Sequence, residues 1–124
     1  MENTKIQSFT QLKVWQSAHK LVIDIYTITR NFPKEERYSL ADQMRRCSVS
    51  ISSNIAEGFS RQNKKEKIQF YFMAKGSLTE LQNQLLIARD VNYLLNKNFI
   101  DLANKTVEVH KMLNSFIRGA KEKL

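Results

Sequence analysis

Residues 63–91 read NKKEKIQFYFMAKGSLTELQNQLLIARDV, and this stretch decides the fold. Ile68, Tyr71, Ala74, Leu78, Leu81, Leu85, Ala88 and Val91 recur at steps of three and four, which gathers them on one face of an α-helix. The stripe runs for roughly six turns of 3.6 residues, longer than strands reach. Asn63 stands where a helix N-cap is needed, and Glu66, three residues on, completes a box-like cap. A helix with one apolar face must be covered by others.

Three further periodic segments flank it. Upstream, Leu40, Met44, Cys47, Ile51, Ile55 and Phe59 form a helical stripe that Ser39 can cap and that breaks near Ser60. Before that, Lys34–Arg37 read as a turn, and Phe32 ahead of Pro33 disfavours helix. The first helix ends near Asn31. It carries Leu12, Trp15, His19, Val22, Tyr26 and Thr29, widened by Val14, Ala18, Ile25 and Ile28, with Thr10 as N-cap and Phe9 stapled onto Val14. Downstream, a polar break at Asn96–Asn98 leads to a fourth helix. There Asn98 and Asp101 suit the first turn, and Leu102, Thr106, Val109, Leu113, Phe116 and Ala120 make the stripe. The charged tail Lys121–Lys123 is expected to fray. Connections this short force neighbours to lie antiparallel, so the fold class is all-α: one up-down-up-down four-helix bundle over residues 1–124.

Composition agrees. Three glycines and one proline in 124 residues are too few for the many turns of a β-rich chain. A lone cysteine, Cys47, cannot form an internal disulfide and points to a reducing compartment. No apolar run has the length of a signal segment or a membrane span, so the expected location is cytoplasmic.

Hairpin arithmetic predicts which residues meet. About the second turn, Gly76 falls opposite Cys47 and Ser48, and a mid-helix glycine there suggests two backbones in close approach. About the first, Trp15 falls beside Asn54, whose carboxamide can accept from the indole N–H. The run Ser48, Ser50, Ser52, Ser53, Asn54 is unusually polar for the middle of a helix. It serves either close packing or a ligand.

No catalytic constellation stands out, and neither enzyme activity nor a cofactor is expected. His19, Cys47 and His110 can share a layer but lack metal-ligand spacing. Asp42, Glu57 and Glu80 make no acid–base pair, and Glu57 with Arg61 reads as an i, i+4 ion pair. Gly58 alone is not a phosphate loop.

The charge says more. The net charge is +8, which favours acidic partners such as nucleic acid or serves solubility. Between Gln43 and Lys75 lie Arg45, Arg46, Arg61, Lys64, Lys65, Lys67 and Lys75 against Glu57 and Glu66. The first six are the candidate nucleic-acid contacts, with Lys64–Lys67 near a helix N-terminus that also favours phosphate. Phe70, Tyr71 and Phe72 cannot all face one core, so at least one ring is a base-stacking platform or a subunit contact.

Phe9-x-x-Leu12-x-Val14-Trp15-Gln16-x-Ala18, Phe32-Pro33, Leu40-x-x-Gln43 and Arg46-x-x-x-Ser50-Ile51 carry a resemblance, as do Ser50-Ile51-x-x-Asn54-Ile55-Ala56-Glu57-Gly58 and Ala74-x-Gly76-Ser77-Leu78-x-Glu80-Leu81. Over almost the whole chain the sequence resembles the four-helix-bundle proteins encoded by intervening sequences in bacterial 23S rRNA genes. Their fold is shared by the accessory variability proteins of diversity-generating retroelements. The resemblance implies a homopentameric barrel and, for retroelement relatives, a basic surface that engages nucleic acid and a reverse transcriptase. It assigns no biochemical activity. It also turns Gly58, Gly76 and Ser77, beside Trp15 and Asn54, towards packing within and between subunits. The expectation is a homo-oligomeric scaffold binding RNA or DNA by charge. The alternative is an adaptor whose basic face meets an acidic protein.

Overall fold

The computed structural model describes residues 5–123. Its helices are α1 (Lys13–Thr29), α2 (Leu40–Ser60), α3 (Lys64–Asp90) and α4 (Asn96–Glu122), and the described residues contain no strand. Cross-helix contacts fix the directions. Cys47 Sγ donates to the Ser77 carbonyl at 2.9 Å, whereas Gly58, further along α2, meets Phe70 and Tyr71, earlier on α3. Tyr71 packs edge-on to Phe116 at 4.7 Å, and Gln82 donates to Thr106 at 3.2 Å. Both seams are therefore antiparallel. Each helix touches its two neighbours around the bundle, and α2 and α3 share the largest interface.

The sequence cap of α3 is present. The Asn63 side-chain oxygen accepts from the N–H groups of Lys65 at 2.8 Å and Glu66 at 3.2 Å, satisfying two donors that the helix leaves orphaned. Other termini are solved differently. Ser39 makes no side-chain cap; instead Glu36 Oε1 accepts from Leu40 N–H at 3.1 Å, and Glu36 Oε2 accepts from the Tyr93 hydroxyl at 3.1 Å. Thr10 is not the cap of α1. It lies in a 3-10 turn, Phe9–Gln11, capped by Ser8 with Gln11 bonding back, and Phe9 packs edge-on to Trp15 at 5.2 Å. Helix α3 ends in a left-handed residue, Asn92, at φ 66°. Tyr93 N–H bonds to Ala88 O and Asn92 N–H to Arg89 O, the paired pattern of a Schellman ending, in which asparagine is an accepted substitute for glycine. That turn leaves Val91 exposed and buries Leu94, so Val91 does not continue the core stripe. Helix α4 starts at Asn96 rather than Asn98 and runs on to Glu122, where the Lys64 ammonium donates to the Lys123 carbonyl. Of the tail expected to fray, Lys121 and Glu122 are helical and Lys123 is extended.

On α1 the buried set is Val14, Ala18, Leu21, Val22, Ile25 and Thr29. Trp15 is half-buried, and His19 and Tyr26 are exposed, which rotates the expected stripe. Two interleaved sets share the helical period on this segment. The aliphatic one fills the interior, while the amphipathic rings lie at the edge where their polar ends reach water. Trp15 stacks on His19 at 4.7 Å, and no hydrogen bond joins its indole to Asn54 among the described residues. The Asn54 amide donates to the Ser50 carbonyl at 2.8 Å and to its hydroxyl at 3.0 Å. Ser48 and Ser52 likewise donate to carbonyls three residues back in α2. Ser48, Ser52 and Asn54 thus find their partners within their own helix, as close packing requires.

Gly76 is a second correction. It is exposed, and a Cβ built there meets nothing within 4 Å. The close approach belongs to Gly58, where a Cβ would lie 2.6 Å from Tyr71 Cε1 and 2.9 Å from Phe70 Cβ. Ser77 is in the seam, its hydroxyl 2.8 Å from that of Ser50. The hairpin sum placed the right turns side by side but carried no information about rotation around the helix axis.

Candidate nucleic-acid interface

Cutting each helix at its midpoint (Leu21, Ser50, Ser77, Val109) divides the bundle into two halves of different electrostatic character. From Phe9 onward, the half containing the α2–α3 turn holds Lys13, Lys20, Arg61, Lys64, Lys65, Lys67, Lys75, Lys111, Arg118, Lys121 and Lys123 against Glu57, Glu66 and Glu122. The other half holds Arg30, Lys34, Arg37, Arg45, Arg46, Arg89, Lys97 and Lys105 against Asp24, Glu35, Glu36, Asp42, Glu80, Asp90, Asp101 and Glu108. Eleven against three on one side, and eight against eight on the other, place the whole excess at one end.

The six sequence candidates divide between these halves. Arg61, Lys64, Lys65 and Lys67 lie together at the α2–α3 turn. Arg45 and Arg46 are sixteen and fifteen residues back along α2 from Arg61, about 22–24 Å at 1.5 Å per residue, and both have partners. Arg45 Nε donates to Thr29 Oγ1 at 2.8 Å, with its guanidinium 5.0 Å from the Tyr26 ring centroid. Arg46 pairs with Asp42 at 3.0 Å.

Within the turn cluster the four cations are not equivalent. Lys67 donates to the Phe59 carbonyl at 2.7 Å and the Gly58 carbonyl at 3.5 Å, so it caps the C-terminus of α2, where positive charge is favoured. Burial of its ammonium, with Lys123 adding repulsion, holds its pKa below the usual lysine range. Arg61 lies 4.7 Å from the Phe70 ring centroid and 3.5 Å from Glu57. Lys64 and Lys65 are exposed, and the Lys65 ammonium has no partner among the described residues. Because Asn63 already takes the N–H groups of Lys65 and Glu66, side chains rather than the helix terminus must carry any anion binding at this turn.

Sequence order concealed the contribution of α4. Folding it back beside α3 brings Arg118 and Lys121 to Phe72 and Lys75 in a groove that Asn114 and Ile117 also line. Of the three consecutive rings, Tyr71 is 2% exposed and Phe72 43%, so Phe72 is the ring turned away from the core.

The remaining candidates for chemistry are apart in character. His19 is exposed, Cys47 buried and His110 half-buried, and no group of His, Cys, Asp and Glu among the described residues could hold a metal ion. Burial, with the Glu80 charge adding, pushes the Cys47 thiol up to about 12, and burial does the same to the Tyr71 phenol. Among the described residues no helix is long and apolar enough to cross a membrane.

Geometry therefore defines an antiparallel all-α bundle with a strongly cationic end. The sequence matches the family model of 23S rRNA-intervening sequence proteins over residues 10–115, and the chain belongs to that family. A crystal structure at 1.70 Å resolution, of a protein of unknown function from the S23 ribosomal protein family of Bacteroides thetaiotaomicron VPI-5482, superposes with a TM-score of 0.75. The two are 21% identical, over 84% of this chain and 97% of that one, a likeness of fold. No curated protein gives a match.

Proposed function

We propose that this protein is a non-enzymatic, homo-oligomeric scaffold that binds RNA or DNA through backbone phosphates. The observation that carries this is the charge asymmetry: eleven cations against three acids in one half of a bundle whose other half is neutral. Phosphate binding needs reachable cations and no base-reading geometry. Cys47 and Tyr71, the groups most shifted by their surroundings, are moved away from ionisation near neutral pH, the opposite of what nucleophilic catalysis requires. Self-association is supported by α3, which buries Tyr71, Leu78, Leu81 and Leu85 yet leaves Met73, Leu86 and Ile87 exposed. On α2 the one large apolar side chain left exposed is Val49. Five subunits are what the family resemblance implies, and a ring would repeat the cationic end around one rim, so that weak contacts add as avidity.

Fluorescence anisotropy with a labelled RNA duplex tests the reading. Affinity should fall steeply and log-linearly as salt rises, with little dependence on base sequence, and light scattering should report a closed oligomer. Absence of binding in dilute buffer would transfer the cationic end to an acidic protein partner.

A further inference from the structure

The groove between α3 and α4 combines an exposed ring with three cations. The Lys75 and Lys121 ammonium groups lie 5.9 Å and 4.9 Å from the Phe72 ring centroid, and Arg118 lines the same groove. Among the described residues, none of the three takes part in an ion pair, and no acidic side chain lines the groove. Its volume, about 320 Å³, lies at the small end of ligand sites. An aromatic face beside several uncompensated cations is the pairing that single-stranded nucleic acid uses: the ring takes a base and the cations take the backbone. A polyanion neutralises all three charges, whereas a second copy of this chain meets them with a like net charge of +8.

We infer that this groove is a single-strand site, in which one unpaired base stacks on Phe72 while Lys75, Arg118 and Lys121 hold the flanking phosphates. The inference rests on the nucleic-acid reading above and adds a preference to it. Bases in a duplex are paired and stacked on each other and offer no free face, whereas those of loops and ends do. The cationic turn around Lys64 and Lys65 is indifferent to that distinction; Phe72 is not.

The test compares a fluorescein-labelled single strand of about 12 nucleotides of mixed sequence with the duplex of the same sequence, on the full chain in its native assembly. Wild type should bind the single strand more tightly. Phe72→Leu should weaken single-strand binding by about tenfold, leave duplex binding unchanged and keep the oligomeric mass, and Phe72→Trp should restore the preference. A 2-aminopurine base in the strand should be quenched by wild type and not by Phe72→Leu. The inference is overturned if Phe72→Leu binds the single strand as wild type does, or if it dissociates the oligomer, which would make Phe72 a subunit contact. Equal affinity of wild type for both forms removes the stacking site and leaves charge-driven binding intact, while binding to neither removes both.

Discussion

The two ends of the bundle carry similar numbers of charged side chains and use them in opposite ways. At the neutral end acids and bases are equal in number, and several are paired inside the molecule. Lys105 donates to Asp24 at 2.9 Å and lies 3.2 Å from Asp101, and its hydrogen bond to Asp24 holds its pKa above the usual lysine range. Arg89 pairs with Asp90 at 2.8 Å and Arg46 with Asp42 at 3.0 Å. At the cationic end the one ion pair among the described residues is Arg61–Glu57 at 3.5 Å. Four of the other cations there rest on rings and carbonyls: Lys67 on Phe59, Lys75 and Lys121 on Phe72, Lys64 on the Lys123 carbonyl. Exposed ion pairs contribute little to stability, so the difference concerns what each end can still bind. One end is balanced in charge and the other is not.

Charge reversal is the strongest way to break that comparison. Lys64→Glu with Lys65→Glu should lower nucleic-acid affinity by about a hundredfold at about 0.1 M salt and flatten its salt slope. Arg46→Glu with Lys97→Glu, the same change in net charge, should move it by less than about threefold, because α2 sets Arg46 roughly two Debye lengths from the turn. Lys67 is left out of the test because it caps α2. Equal losses from both double variants would mean that net charge, not its placement, matters.

Next in size are the two glycines, one at each kind of seam position. Gly58→Ala pushes a Cβ into the buried Tyr71 ring and should destabilise by about 1–3 kcal/mol despite better helix propensity. Gly76→Ala meets open space and should stabilise by about 0.5–1 kcal/mol. Thermal melts that shift in the same direction would show that the α2–α3 seam is wrongly placed. A smaller contrast lies in the helix starts: Asn63→Ala should cost about 1 kcal/mol and Ser39→Ala near zero, since only Asn63 caps with its side chain.

A further contrast concerns pH. The folded state keeps the Cys47 proton to about 12, whereas the ordinary value is 9.0. A raised folded pKa means stability is full below pH 9 and is lost as pH climbs towards 12. Wild type should therefore lose a few degrees more of Tm than Cys47→Ala between those limits. Parallel curves would place the thiol in contact with solvent.

What was legible in the sequence follows from range. Helix α3 announced itself through an unbroken period and a local cap, Asn63, because both depend on neighbours within four residues. The rotation of α1 was not legible, since Val14–Ala18–Ile25 and Trp15–His19–Tyr26 fit the same period and only packing chooses between them. The Gly76 assignment failed for a related reason: pairing along a seam is set by turn position, whereas facing is set by rotation. Of the candidate site, the turn cluster Arg61–Lys67 is contiguous and was visible. The Phe72 groove joins residues from α3 and the end of α4, and no local pattern could announce it. The Asn92 ending could have been suspected, because asparagine tolerates a left-handed backbone better than other side chains that carry a Cβ.

Glu36 has one further consequence. Its two carboxylate oxygens serve different connections, one the start of α2 and the other the Tyr93 hydroxyl beyond the end of α3. Connections fastened through a single side chain open as one cooperative unit rather than independently. Amide protons at Leu40 and in the Asn92–Leu94 segment should therefore exchange with solvent deuterium at matched rates, and Glu36→Gln, which keeps one acceptor and loses the charge, should accelerate both sets together.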